Sequence, residues 1–239
     1  MEWPWEMVER DHVIQDPTSP EKIRLLGEYM RLTADSQVLD MGCGKAGPAV
    51  VLAAAFGCRI LGVELREVFA AEARARVEER GLEPLIEVRT ADAGGFELEP
   101  DCYDVAMAIG TCFIWGHIEH AARALVPAVK RGGYLALGEP YWRLEPPPSV
   151  DRGPFVSLPE TVARLESAGL RLTGIIAAGQ DDWDRYESLH WRAVEEWLAA
   201  NPAHTDAAAI RDRHRARLAA YLEHERRLLG WAILVARKP

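Results

Sequence analysis

Asp40, Gly42, Gly44, Gly47 and Glu64 are the residues whose types and order in this sequence could do chemistry. The glycines fall in the stretch Gln37 to Val51 (QVLDMGCGKAGPAVV), where a short apolar run ends in Asp40, passes through a loop and enters an Ala/Val/Leu-rich segment. Such a loop turns sharply and lets a ligand reach main-chain N–H groups with no Cβ in the way. The literal spacing is G-x-G-x-x-G, the pattern of dinucleotide sites. Two residues argue against a pyrophosphate there. Asp40 would set a carboxylate at the mouth, and Pro48, suited to the first helical position, removes one of the amides that would hold a phosphate. A ligand carrying a cationic amino-acid group and a ribose fits better, with Asp40 attracting the cation and Glu64 accepting from two hydroxyls.

A second reactive group is Gly138-Glu139-Pro140-Tyr141-Trp142, a carboxylate and two large aromatics directly after an apolar run. Burial beside Tyr141 and Trp142 is expected to raise the pKa of Glu139 and make it a base near neutral pH. Holding loop amides and the two aromatics in place is its alternative role. His117 and His120, spaced i, i+3 near a helix start, are further candidate bases. No acid or cysteine stands at ligand spacing from them, so a metal is not expected. Cys43, Cys58, Cys102 and Cys112 lack C-x-x-C spacing and read as small buried thiols.

Positioning these groups requires alternating strands and helices. Apolar runs predict strands at Val38–Leu39, Cys58 to Leu65, Leu85 to Thr90, Tyr103 to Ile109, Tyr134 to Gly138, Leu170 to Ala177 and Trp231 to Ala236. Helices are predicted from Ser19-Pro20, over Arg66 to Gly81, over 117–131, and from a capping box at Ser157 and Glu160 to Gly169. Parallel strands joined through helices force a doubly wound α/β sheet, six strands parallel and the last antiparallel. Residues 179–230 exceed what that sheet needs and read as two inserted helices separated by Asn201-Pro202. The expected organisation is a cap segment and helix at 1–34, a core at 35–178 and 231–239, and a helical lid at 179–230.

The Gln37–Val51 stretch, with Glu64 after strand two, resembles motif I of the class I S-adenosylmethionine-dependent methyltransferases, which have a Rossmann-like fold. It departs where the third glycine of D-x-G-x-G-x-G falls on Ala46, with Gly47 displaced by one. Together with GEPYW and the insertion's DDWDRYESLHW, the chain resembles a bacterial group of the YjhP type over nearly its whole length. The resemblance implies that S-adenosylmethionine is held by Asp40, Gly42, Cys43, Gly44, Glu64, Leu65, Asp92, Ala93, Ile109 and Gly110. In it, Asp92 accepts from the adenine amino group and the Ala93 amide meets the ring. It also implies that the segment before the domain covers the cofactor cleft; packing outside the sheet is the alternative. Expected catalytic residues are Glu139, His117 and Tyr141, and expected substrate contacts are His12, Trp115, Trp142, Tyr186 and His190.

Composition narrows the partners. The 239 residues are 49% hydrophobic with a formal charge of −9, enough to bury a full core and poorly suited to a large nucleic-acid footprint. No apolar run spans a membrane and no secretory signal is evident, so a cytoplasmic enzyme acting on a small molecule is expected. Three competing readings stay open: an RNA methyltransferase using the arginines between Arg211 and Arg227, a non-catalytic cofactor-binding protein, and a nicotinamide oxidoreductase.

Overall fold

Strands such as Tyr103–Ile109 are apolar on both faces and must be covered on both, and helices supply the cover. The computed structural model describes residues 3–239, so the first two residues of the expected cap segment lie outside the described residues. The strands are β1 (Gln37–Met41), β2 (Arg59–Glu64), β3 (Ile86–Thr90), β4 (Tyr103–Ile109), β5 (Val129–Trp142), β6 (Arg171–Ala177) and β7 (Leu229–Arg237). They form one seven-stranded sheet in the order β3-β2-β1-β4-β5-β7-β6. Strands β1 to β5 pair in parallel, and β7 runs antiparallel to both β5 and β6, the direction pattern expected.

The helices are α1 (Trp5–Val8), α2 (Pro20–Tyr29), α3 (Gly47–Phe56), α4 (Glu67–Glu79), α5 (Ile118–Leu125), α6 (Leu158–Glu166), α7 (Gln180–Ala200) and α8 (Ala207–Ala220). Alternate residues of each strand feed two cores. Val38, Val105, Met107 and Val235 pack under α2 and α3 with Ile23, Leu26 and Leu52. Leu39, Ala106, Leu135 and Leu234 pack under α5 and α6 with Ile118, Leu125 and Leu165. β1 is flanked by β2 on one side and β4 on the other, and the crevice where the winding reverses opens at their carboxyl ends.

Three elements differ from expectation. The helix predicted over 117–131 ends at Leu125, because Pro127 cannot continue it, and a 3₁₀ turn Val126–Ala128 follows. β5 then starts at Val129, runs through Gly132 and Gly133, and continues to Trp142 paired with Leu229 of β7. GEPYW is therefore strand, not exit loop. α3 starts at Gly47, so Pro48 is its second residue, still in the turn whose amides lack partners.

The insertion forms α7 and α8, divided at Asn201, and returns through a π turn at Tyr221–Glu225. Its inner face is buried against the segment before the sheet: Trp3 and Val8 pack with Val194, Leu198 and Ile210. Among the described residues, no helix is long and apolar enough to cross a membrane.

Candidate active site

The ten residues expected to hold the cofactor all line one cavity of about 580 Å³ at the carboxyl ends of β1, β2 and β4. Asp40, Gly42, Cys43 and Gly44 come from β1 and its loop, Glu64 and Leu65 from β2, Asp92 and Ala93 from beyond β3, and Ile109 and Gly110 from β4. Gly44 has φ 53° and Gly110 φ 72°, where a side chain is strained. Each also has a neighbour pressed against it: a Cβ on Gly44 would meet Gln15 Oε1 at 2.1 Å, and one on Gly110 would meet Asp16 Oδ1 at 1.9 Å. Ala46 adopts φ 57° as a glycine would, so the displaced glycine leaves the loop's left-handed turn in place.

Glu64 organises the loop. Its Oε2 accepts from the Gly44 amide at 3.0 Å and its Oε1 from the Arg66 amide at 2.8 Å. Asp40 is 2% exposed, and its Oδ2 has no partner in the protein. Burial, with Glu64 nearby, pushes its pKa up to about 7. A buried acceptor left open beside glycine amides suits a ligand that brings its own cation. Asp92 accepts from the Gly94 amide at 2.9 Å, so it caps a 3₁₀ turn as well as facing the cavity. The same burial raises the Cys43 pKa, which keeps that wall a neutral thiol.

The catalytic candidates lie elsewhere. Because β5 continues as a strand, Glu139 and Tyr141 fall on its α5 side, off the cavity wall. Glu139 is 9% exposed. Burial raises its pKa to about 7, opposed by the Ile118 N–H it accepts from at the start of α5. Tyr141 packs on Gly230. His117 precedes α5 with its ring stacked on His120 at 4.1 Å, and burial and His120 lower its pKa. Of the expected substrate contacts, Tyr186 lines the cavity. Trp142 is fixed in the core by its Nε1 donating to the Arg152 carbonyl at 3.1 Å, and Trp115 packs on the α5 side. His12 and His190 stand behind the wall, against Glu9, which does line it.

Sequence reasoning passed over Trp5, Glu9, Gln15 and Asp16, which come from the segment before the sheet and close the cavity over the glycine loop. Phe113, 73% exposed, and Leu65, 65% exposed, offer apolar surface at its rim. Asp16 has its pKa driven well up by burial, with Glu9 and Asp40 adding to it. An Ile-Gln-Asp-Pro run before a helix carries no chemical pattern that would have singled these out.

A mixed seven-stranded sheet in this order, with an acid ending β1 and another ending β2, defines the class I methyltransferase fold. Residues 38–133 match the family described as methyltransferase domain. The chain is 30% identical to YjhP of Escherichia coli (strain K12), over 96% of both chains. It is 28% identical to the 27-O-demethylrifamycin SV methyltransferase of Amycolatopsis mediterranei, over 95% of this chain and 85% of that one. A solved S-adenosylmethionine-dependent methyltransferase from Thiobacillus denitrificans, in complex with S-adenosyl-L-homocysteine, superposes with a TM-score of 0.91 at 29% identity, covering 100% of both. The chain belongs to the class I S-adenosylmethionine-dependent methyltransferases, in the group that includes YjhP, and its cofactor is S-adenosylmethionine.

Two tests of these acids follow from burial. Below pH 7 Asp40 is protonated in the free protein, and a cationic ammonium needs the carboxylate. Affinity for S-adenosylhomocysteine should therefore rise with pH by up to about tenfold per unit and level off above 7. Calorimetry across pH 5.5–8.5 measures it, and Asp40→Asn should flatten the curve; the same slope in the variant would remove Asp40 from the site. A carboxyl whose pKa is raised on folding binds its proton more tightly in the native state, so stability falls as pH climbs from the unfolded value toward 7. Glu139→Gln should make that fall in melting temperature shallower between pH 5 and 8, with cofactor affinity unchanged. Lost affinity would return Glu139 to the cavity.

Proposed function

We propose that this enzyme methylates a small-molecule nucleophile by direct displacement. The observation that carries this is the roofed cavity: Trp5, Glu9 and Asp16 from the segment before α2, with Tyr186 of α7, line it together with the glycine loop. A roof over both ends of the reaction admits a small acceptor more readily than a polymer. Two of the insertion's exposed arginines have partners within the fold, which leaves fewer for an RNA surface. Arg213 lies over the Trp3 ring at 4.6 Å, and Arg226 makes two 2.9 Å bonds to Asp184. None of the four cysteines is in a disulfide, which supports a cytoplasmic setting.

The bound cofactor supplies an electrophilic methyl on a good leaving group. The protein's task is alignment, which can be worth on the order of 7–11 kcal/mol. Asp40 and Glu64 fix the cofactor end, Asp92 and Ala93 the adenine end, and Phe69, Phe113 and Tyr186 present aromatic surface around the space between. Their ring faces are able to stabilise a cation. A screen of small-molecule acceptors for S-adenosylhomocysteine release, with structured RNA as a parallel arm, tests the reading. Turnover on a small molecule alone is expected; turnover on RNA alone overturns it.

A further inference from the structure

Behind the cavity wall three side chains converge from distant parts of the chain. Glu9 and His12 follow α1, and His190 comes from α7; they are 4%, 1% and 5% exposed. His190 Nε2 lies 2.7 Å from Glu9 Oε1, and His12 Nδ1 lies 3.3 Å from Glu9 Oε2. One ligand-capable atom from each residue can be chosen so that all lie within 4.8 Å of one another.

The outward nitrogens decide the chemistry. His12 Nε2 is 3.0 Å from the Tyr186 carbonyl oxygen, which can only accept, so that nitrogen carries the hydrogen. In the neutral ring Nδ1 is then a lone pair, and it faces a carboxylate oxygen, another lone pair. Neither His12 Nδ1 nor Glu9 Oε2 has a hydrogen-bond partner. His190 turns its other nitrogen, Nδ1, toward Glu187 Oε2 at 3.9 Å. His12 thus has its outer nitrogen bonded to an acceptor, the outer nitrogen of His190 has no hydrogen-bond partner with Glu187 standing 3.9 Å away, and both rings turn the inner nitrogen to the same carboxylate. The His12 arrangement is that of a metal-bound histidine.

We propose that Glu9, His12 Nδ1 and His190 Nε2 bind a divalent transition ion of the zinc class, with the Tyr186 carbonyl and Glu187 orienting the two rings. Ligands at about 2.0–2.1 Å from a tetrahedral ion lie roughly 3.3 Å apart, so the His12 contact already fits and the His190 contact opens slightly. Lys45 is spent on the Glu9 and Arg10 carbonyls and on Glu72, and Arg217 stands 3.9 Å from Glu187. Glu9 also lines the cavity, so an ion held here would tie the segment before α2 to α7 beside the roof. The ligands Glu9 and His190 are 181 residues apart, so no local spacing announces the site.

The test uses the full chain without a histidine tag, dialysed against zinc chloride and washed, with zinc measured by mass spectrometry. Wild type should keep one equivalent and melt higher with zinc. His12→Ala, His190→Ala and Glu9→Gln should each lose it, and Glu187→Gln should bind about 10–100-fold more weakly. His120→Ala, from the pair stacked with His117, should keep it. Circular dichroism and a cooperative thermal melt confirm that the near-isosteric Glu9→Gln is folded. Wild type retaining no zinc would mean that a proton on His12 closes the pair. Equal retention by the three ligand variants would place zinc on other histidines. Either result overturns the proposal.

Discussion

Replacing Glu64 by alanine is expected to weaken S-adenosylhomocysteine binding by on the order of 10–100-fold, from the loss of about 1.5–3 kcal/mol in bonds to a charged acceptor. The effect has two sources. The ribose that the family resemblance places at Glu64 would lose its acceptor, and the Gly44 and Arg66 amides, held at 3.0 and 2.8 Å, lose the carboxylate that sets the loop. Glu64→Gln keeps the side chain's shape but not its charge, and should fall between wild type and Glu64→Ala. Isothermal calorimetry measures all three. Unchanged affinity in Glu64→Ala and Asp40→Ala together would put the cofactor elsewhere.

Lys45→Met should be the most destabilising single change in the glycine loop. Lys45 is buried to 1% exposure, with Nζ donating to the Glu9 and Arg10 carbonyls at 3.0 and 3.1 Å and pairing with Glu72 at 2.8 Å. Methionine fills the space but leaves both carbonyls without their donor, at about 1–3 kcal/mol each. Glu72 is half exposed and contributes little. A fall in melting temperature on the order of 5–10 °C should follow. Hydrogen exchange should quicken across residues 9–16 and stay slow in β4. Even protection of that segment would show that the apolar contacts of Trp3 and Val8, not Lys45, hold it down.

The parts of this structure that were legible in the sequence are those in which one physical demand acts locally. Tyr103–Ile109 is a strand end to end because only a strand buried on both faces is apolar at every step, as this one is from Val105 on. That Asp40, Gly42, Gly44 and Glu64 would meet at one cavity was legible because glycines and acids after strands have few other reasons to stand there. Lys45 was not, since a lysine in a loop ordinarily faces water and its burial depends on carbonyls of a segment far away in sequence. Glu139 was aimed wrongly for a reason of register. Gly132, Gly133 and Pro140 disfavour strand locally, yet pairing with β7 carries β5 through all three, and in a strand each side chain's face follows from parity. Glu9, His12 and His190 come together only in the tertiary structure, where no periodicity could pair them.

β7 comes last among the strands in chain order, yet it lies between β5 and β6 and bonds to both. While the chain is being synthesised, β5 therefore has a free apolar edge throughout the making of α6, β6 and the whole insertion. Nothing can close that edge until Leu229–Arg237 emerges. Contacts so far apart in sequence are slow to form, and an open edge invites pairing with a neighbouring nascent chain. The enzyme's yield in a cell should accordingly depend on how well that interval is shielded, and substitutions in the insertion that slow its collapse should appear first as aggregation rather than as lost affinity for the cofactor.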